Sequence, residues 1–182
     1  MQRVAIVGPS GAGKTTLANE LAPLIGAELI NLDALFHQAD WIPTPTPEFR
    51  TRVIEATEPD RWVVDGNYSQ VLDIVHGRAD TIIWLDLPRS LVTWRVAKRS
   101  LRRVATREEL WNGNREDWRK LLSRSEERNP VLWTWNHHDR TTLRYEGFAA
   151  GKFWEHADVR RFRSPIDVRR FLSRCGNPPD DS

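Results

Sequence analysis

Short apolar runs alternate with segments whose apolar residues recur at helical spacing along most of the 182-residue chain. Such alternation is the mark of a parallel α/β sheet. Val4-Ala5-Ile6-Val7 is a continuous apolar run closed by a glycine, which predicts a buried central strand. From Thr15 to Ile25, Leu17, Leu21, Leu24 and Ile25 follow helical spacing, and Gly26 is placed to end the helix. Further strands are predicted over Glu28–Leu32, ending at Asp33; over Trp62–Val64, ending at Asp65-Gly66; over Thr81–Leu87, stopped by Pro88; and over Asp158–Arg163, the least apolar of the five. Ser164-Pro165 then reads as a helix start with proline at the first helical position. Five strands with helices between them predict one doubly wound domain over residues 1–174.

Two stretches interrupt the rhythm. Residues 34–60 contain four prolines (Pro43, Pro45, Pro47 and Pro59) and a helix predicted to begin at Thr46-Pro47-Glu48, with Thr46 as its cap. Residues 100–129 are polar, basic and helical in character. Ligands of doubly wound sheets sit at the carboxyl ends of the strands. Insertions there are candidates for an acceptor-binding segment (34–60) and a lid (100–129). Residues 175–182 read as a disordered tail.

Composition narrows the class. A hydrophobic share of 40% supports a real core and a charged share of 29% marks a soluble protein. No apolar run approaches the length of a membrane span, so no membrane partner is expected. A start that passes directly into a strand pattern argues against a signal peptide, and the expected compartment is the cytoplasm. The single cysteine, Cys175, excludes an internal disulfide and a thiolate metal cage. The five histidines show no metal-ligand spacing. Net charge is only +2, but just four of the 27 basic residues are lysines. The remaining arginines are the better bidentate partners for phosphate.

The strongest chemical signal is Gly8-Pro9-Ser10-Gly11-Ala12-Gly13-Lys14-Thr15, which fits G-x-x-x-x-G-K-[ST] between a predicted strand and a predicted helix. Glycines let successive backbone N–H groups turn inward and form an anion nest at a helix N-terminus. Gly8, Pro9, Ser10, Gly11, Ala12, Gly13, Lys14, Thr15 and Thr16 are therefore the candidate nucleotide-binding residues. Lys14 is placed to reach the β- and γ-phosphates of ATP, and the Thr15 hydroxyl to ligate Mg²⁺. Asp65, ending the strand beside this loop, is a second candidate for the metal. Asp86 lies before Leu87-Pro88 and reads as strand-end structure. Arg95, Arg99, Arg102 and Arg103 share one helical face, where like charges repel unless a polyanion lies in front of them.

These motifs resemble nucleoside monophosphate kinases. Trp62-Val63-Val64-Asp65-Gly66 is similar to their third-strand Asp-Gly, and Leu85-Asp86-Leu87-Pro88 with Arg95 and Arg99 to the stretch leading into the adenylate-kinase lid. Leu32-Asp33-Ala34-Leu35-Phe36, Val64-Asp65-Gly66-Asn67-Tyr68-Ser69 and Glu109-Leu110-Trp111-Asn112-Gly113-Asn114-Arg115-Glu116 resemble the adenylate-kinase-like topology modulation proteins, over about residues 2–172. The resemblance implies a P-loop NTPase fold, with a five-stranded parallel sheet of order 2-3-1-4-5, helices on both faces and a helical lid. It implies a Mg²⁺-dependent kinase that uses ATP and a small-molecule phosphoryl acceptor. In it Lys14, Asp33, Arg95, Arg99 and Arg115 are catalytic: Asp33 takes the acceptor's proton, Arg95 stacks on adenine, Arg99 meets the transferring phosphoryl group, and Arg115 closes over the phosphates.

Adenylate kinases follow Asp-Gly with an arginine that grips AMP. Here Asn67-Tyr68-Ser69 follows, so a nucleoside, a nucleotide and a hydroxylated metabolite all stay open as acceptors. Arg50 and Arg52 are the remaining candidates for an acceptor phosphate. Of the nine tryptophans, Trp62 and Trp84 are expected in the core. Trp41, Trp111, Trp118, Trp133 and Trp135 are expected either to pack small helices or to line the acceptor pocket. Two other readings are a nucleotide-gated protein that touches nucleic acid through the 89–103 face, which the small net charge disfavours, and an ATPase without an acceptor.

Overall fold

A computed structural model describes residues 1–107, 109–114 and 117–176. Five strands, β1 (Arg3–Val7), β2 (Glu28–Asn31), β3 (Trp62–Asp65), β4 (Thr81–Leu85) and β5 (Asp158–Phe162), form one parallel sheet of order β2-β3-β1-β4-β5. The order is the one expected. Its helices are α1 (Lys14–Leu24), α2 (Leu32–Phe36), α3 (Thr46–Ala56), α4 (Leu72–Arg78), α5 (Arg89–Thr106), α6 (Trp118–Leu121), α7 (Pro130–Ala150) and α8 (Pro165–Gly176).

The continuous apolar runs arise because each strand is covered on both faces. Val4 and Ile6 of β1 join Val63, Ile83, Leu85 and the buried side of α1 and α8. Ala5 and Val7 point the other way, into a core with Val64, Ile82, Trp84, Phe49 and Val53 of α3, Val75 of α4 and Tyr145 of α7. Trp62 and Trp84 are fully buried, as expected, and Trp154 joins them. Each such ring removes roughly 200 Å² from water, on the order of 5 kcal/mol before ordering costs.

Several expectations are corrected. The second strand stops at Asn31, because the Asn31 side chain accepts the Ala34 N–H and starts α2, so Asp33 lies in a first helical turn and not at a strand end. Thr46 is already helical and caps nothing; Pro45 occupies the cap position without a side-chain bond. The basic stretch from 100 is the end of α5 to Thr106, and beyond it, among the described residues up to 129, helical structure is confined to one 3₁₀ turn (Trp111–Gly113) and the single turn of α6. Trp118, Trp133 and Trp135 are about half exposed, and the Trp135 ring lies under the Arg89 guanidinium of α5. Cys175 and Gly176 belong to α8, and the rest of the expected tail lies outside the described residues. The last helix starts where predicted: the Ser164 hydroxyl accepts the Asp167 N–H at 3.2 Å. Asp86 is structural, as read: it pairs with Arg161 of β5 at 2.8 Å, and that guanidinium lies over the Trp84 ring. Among the described residues no helix is long and apolar enough to cross a membrane.

Candidate active site

The loop between β1 and α1 leaves the sheet at its centre, with β3 and β4 on either side of β1. Gly8, Gly11 and Gly13 have φ of 147°, 78° and 97°. Gly11 is also a close approach: a Cβ there would run into the Val92 carbonyl and Val96 of α5, which lies directly against the loop. The first-turn amides of α1 have no carbonyl one turn back and are available to an anion. Lys14 curls over the loop and its Nζ donates to the Gly8 and Pro9 carbonyls at 2.9 and 3.0 Å. Burial lowers its pKa, with the Asp65 and Asp33 carboxylates pulling the other way.

Thr15 Oγ1 donates to Asp65 Oδ2 at 2.6 Å, and Asn31 Nδ2 reaches the same oxygen at 3.4 Å. Asp65 is 3% exposed, and burial raises its pKa against the Thr15 hydrogen bond and the Lys14 charge. A buried carboxylate and a hydroxyl in contact form an oxygen-only donor set, which fits a hard divalent cation such as Mg²⁺. The amphipathic α5 brings two predicted arginines to the loop. Arg95 Nη1 donates to the Ala12 carbonyl at 3.4 Å, and Arg99 Nη2 to Ser10 Oγ at 3.2 Å. Three cations (Lys14, Arg95 and Arg99) thus converge on one glycine-rich turn, an arrangement suited to a polyphosphate. Thr16 occupies the exposed first turn of α1. Arg115 lies outside the described residues.

The loop is braced from beneath by residues sequence reasoning did not place there. Asn67 Nδ2 donates to the Gly8 carbonyl at 2.6 Å, and the buried Tyr145 of α7 turns its hydroxyl toward the Gly8 backbone. Opposite the loop, Tyr68 donates its phenolic proton to Asp33 Oδ1 at 2.6 Å and meets His37 Nε2 at 3.2 Å. With the only phenolic proton committed to Asp33, the ring nitrogen must be the donor, so His37 carries its proton on Nε2. Burial, then the Asp33 charge, pushes the Tyr68 pKa far up and keeps the phenol neutral. Phe36, His37, Trp41, Phe49 and Tyr68 form a contiguous ring cluster here, with Phe36 and Tyr68 centroids 4.5 Å apart.

The segment after α5 docks beside this ring cluster. Asn114, 4% exposed, accepts the Trp41 N–H at 2.7 Å and donates to the Gln38 carbonyl at 2.9 Å, and Asn112 donates to the His37 carbonyl. Both loops contain non-glycine residues at positive φ: Asp40 and Trp41 on one side, Asn112 on the other. Arg50 and Arg52, the remaining candidates for an acceptor phosphate, are engaged within the protein. Arg50 is held by both oxygens of Asp73 at 2.8 Å and by the Gln70 carbonyl, and Arg52 by Glu48 and the Leu35 carbonyl.

Sheet order and loop position define the P-loop kinase fold. Solved structures agree. Shikimate kinase from Acinetobacter baumannii, in complex with shikimate, superposes with a TM-score of 0.55 at 19% identity, over 96% of this chain and 90% of that one. A gluconokinase from Sinorhizobium meliloti 1021 gives 0.51 at 15% identity, over 96% and 91%. At such identities the likeness establishes the fold. Among curated proteins, tRNA dimethylallyltransferase from Syntrophobacter fumaroxidans is 36% identical over 72 residues, which is 36% of this chain. The match spans about a fifth (21%) of that relative's length. No family model matches the chain.

Proposed function

We propose that this protein is a small-molecule kinase that transfers the γ-phosphoryl group of ATP to a small acceptor, as the resemblance to adenylate-kinase-like topology modulation proteins also implies. The observation that carries the reading is the convergence of Lys14, Arg95 and Arg99 on the loop from Gly8 to Thr15, beside the Thr15–Asp65 pair. Loop amides and the α1 N-terminus bind the phosphate chain, and Lys14 leaves its carbonyl partners for the β- and γ-phosphates. Thr15 and Asp65 would hold Mg²⁺, which supplies charge neutralisation when bound. Arg95 and Arg99 offset charge on the transferring group, where preorganised donors act most strongly. Asp33 accepts the acceptor's proton, with Tyr68 fixing its carboxylate.

The segment at residues 109–114, hydrogen-bonded across the acceptor side, acts as a lid that keeps water from the reacting group. The shikimate kinase and gluconokinase named above share this fold and carry kinase names, which supports phosphoryl transfer over the acceptor-free reading. Calorimetry with ATP and Mg²⁺ on the purified chain, followed by an ADP-release assay across acceptor pools, tests the reading. Micromolar ATP binding lost in Lys14→Ala, with acceptor-dependent ADP release, is the expected result. No ATP uptake by folded protein would refute it.

A further inference from the structure

Deepening that kinase reading, we propose that the acceptor is an uncharged, ring-bearing alcohol, a sugar, cyclitol or nucleoside, that offers a hydroxyl to Asp33, and that it is not a nucleoside monophosphate. Two independent observations point there.

The first is electrostatic. An acceptor that brings a phosphate needs a cation to receive it, and the acceptor segment has committed its own. Arg50 is neutralised by Asp73 and fastened to the Gln70 carbonyl at 2.6 Å, where it anchors the turn that follows Tyr68. Arg52 is paired with Glu48 at 2.5 Å. Arg78 donates to Thr57 Oγ1 and the Ile54 carbonyl at 2.7 and 2.9 Å. Asp33 itself is an anion whose hydrogen-bond partner is a neutral phenol. A phosphate beside it would meet repulsion, whereas a hydroxyl would meet an acceptor for its proton.

The second observation is the ring cluster that reaches Asp33 through Tyr68. Phe36, His37, Trp41 and Tyr68 contact one another edge-on or tilted, with centroids 4.5 to 5.1 Å apart along the chain Tyr68–Phe36–His37–Trp41. Aromatic faces beside neutral hydrogen-bonding groups suit the C–H or flat face of a ring. In the reaction the acceptor oxygen forms a bond to Pγ and the bond from Pγ to the β,γ-bridging oxygen breaks. Its electron pair leaves with ADP, and the hydroxyl proton passes to the Asp33 carboxylate. Tyr68, donating to the other face of that carboxylate and held by His37, is a positioning residue.

The test uses the full chain and two probes. Di(adenosine-5′) pentaphosphate joins ATP to the phosphate and nucleoside of a monophosphate acceptor; at a true monophosphate site it binds on the order of 100-fold tighter than ATP. Here calorimetry should find the two within about 3-fold, because the second adenosine phosphate gains no partner. γ-labelled ATP is then incubated with a pool of nucleosides and cyclic polyols, and separately with a pool of nucleoside monophosphates. Label is expected as a phosphate monoester in the first pool alone. On that substrate, Tyr68→Phe should lower kcat about 10-fold with KM little changed, since the Asp33 carboxylate loses the hydrogen bond that positions it. A kcat equal to that of the wild type, with only the urea midpoint changed, would mark a purely structural tyrosine and sink the positioning role. Tight pentaphosphate binding, label in the monophosphate pool, or none in the alcohol pool overturns the acceptor class. Failure of ATP itself to bind in the same titration overturns the kinase reading.

Discussion

His76 allows the packing behind the site to be tested by pH alone. It lies on α4, 5% exposed, and its Nδ1 accepts the indole N–H of Trp154 at 3.0 Å. Phe148 and Phe153 complete the surroundings, and the same small cavity is lined by Asn67, Tyr68 and Tyr145. With Nδ1 engaged as an acceptor, the ring is neutral and carries its proton on Nε2. Burial, aided by the Arg144 and His156 charges, depresses its pKa from 6.5 to about 4. The unfolded chain therefore takes up a proton as pH falls through 6.5, and the folded protein resists until about 4. Stability from this group is complete above 6.5 and drains away on acidification toward 4. At about 1.4 kcal/mol per pH unit for one proton, the whole interval is worth at most about 3.5 kcal/mol.

Urea unfolding monitored by tryptophan fluorescence between about pH 7 and 4.5 reads this directly. Other carboxylates titrate in the same range, so the decisive quantity is the difference from His76→Asn, whose amide oxygen can still accept from Trp154 without titrating. Between pH 6 and 5 the wild type should lose about 1 kcal/mol more than the variant, whatever fixed penalty the variant carries at pH 7. Parallel curves would show that His76 ionises as if exposed, and the packing of α4, α7 and Trp154 described above would be wrong.

Four further substitutions probe the site and its surroundings. Lys14→Ala should weaken ATP binding at least ~30-fold by calorimetry while the urea midpoint barely moves, because burying that ammonium already opposes its charge. Gly11→Ala, at φ 78° against the Val92 carbonyl, should cost more than ~2 kcal/mol in urea, whereas Gly26→Ala, at φ 61° with open space around it, should cost only about 1. Equal penalties would mean that α5 does not press on the loop. Asn114→Ala leaves the Trp41 N–H and Gln38 carbonyl without their partner, a local loss of about 2 kcal/mol. Proteolysis within residues 107–129 should then accelerate ~30-fold, and unchanged cleavage would refute the docking.

The fold was legible where chain-local physics decides it. An apolar run followed by glycines, a helix and Gly26 dictates β1, the loop and α1, since a strand buried on both faces favours apolar residues at successive positions. Asn31-Leu32-Asp33 misleads because Leu32 extends the apolar pattern of β2, while the Asn31 side chain captures the Ala34 amide and bends the chain into α2. A cap signal was present there and was outweighed by hydrophobicity. The long α7 escaped for the opposite reason. Its Asn129-Pro130 start is a strong signal, with Asn129 accepting the Val131 and Leu132 amides, but it buries Thr134, His138 and Tyr145 where periodicity looks for leucine.

The site divides along the same line. Lys14, Thr15, Arg95 and Arg99 were readable because a contiguous motif and one helical face specify them. The side facing the loop was not, and the reason lies in its bonding partners. Asn67 reaches the Gly8 carbonyl 59 residues away, Asn114 the Gln38 carbonyl and the Trp41 amide, and Arg50 the Gln70 carbonyl. Every residue carries a carbonyl and nearly every one an amide, so such contacts leave no mark in the sequence at the receiving end. The same is true of a cation's availability: Arg50 and Arg52 look identical in sequence whether they face a substrate or Asp73 and Glu48. Phosphate recognition is therefore written in residue types, which sequence displays. The opposite side depends on which of those residues the fold has already used, and here Arg50 and Arg52 are engaged by Asp73 and Glu48 while Asp33 and Tyr68 meet beside a cluster of rings.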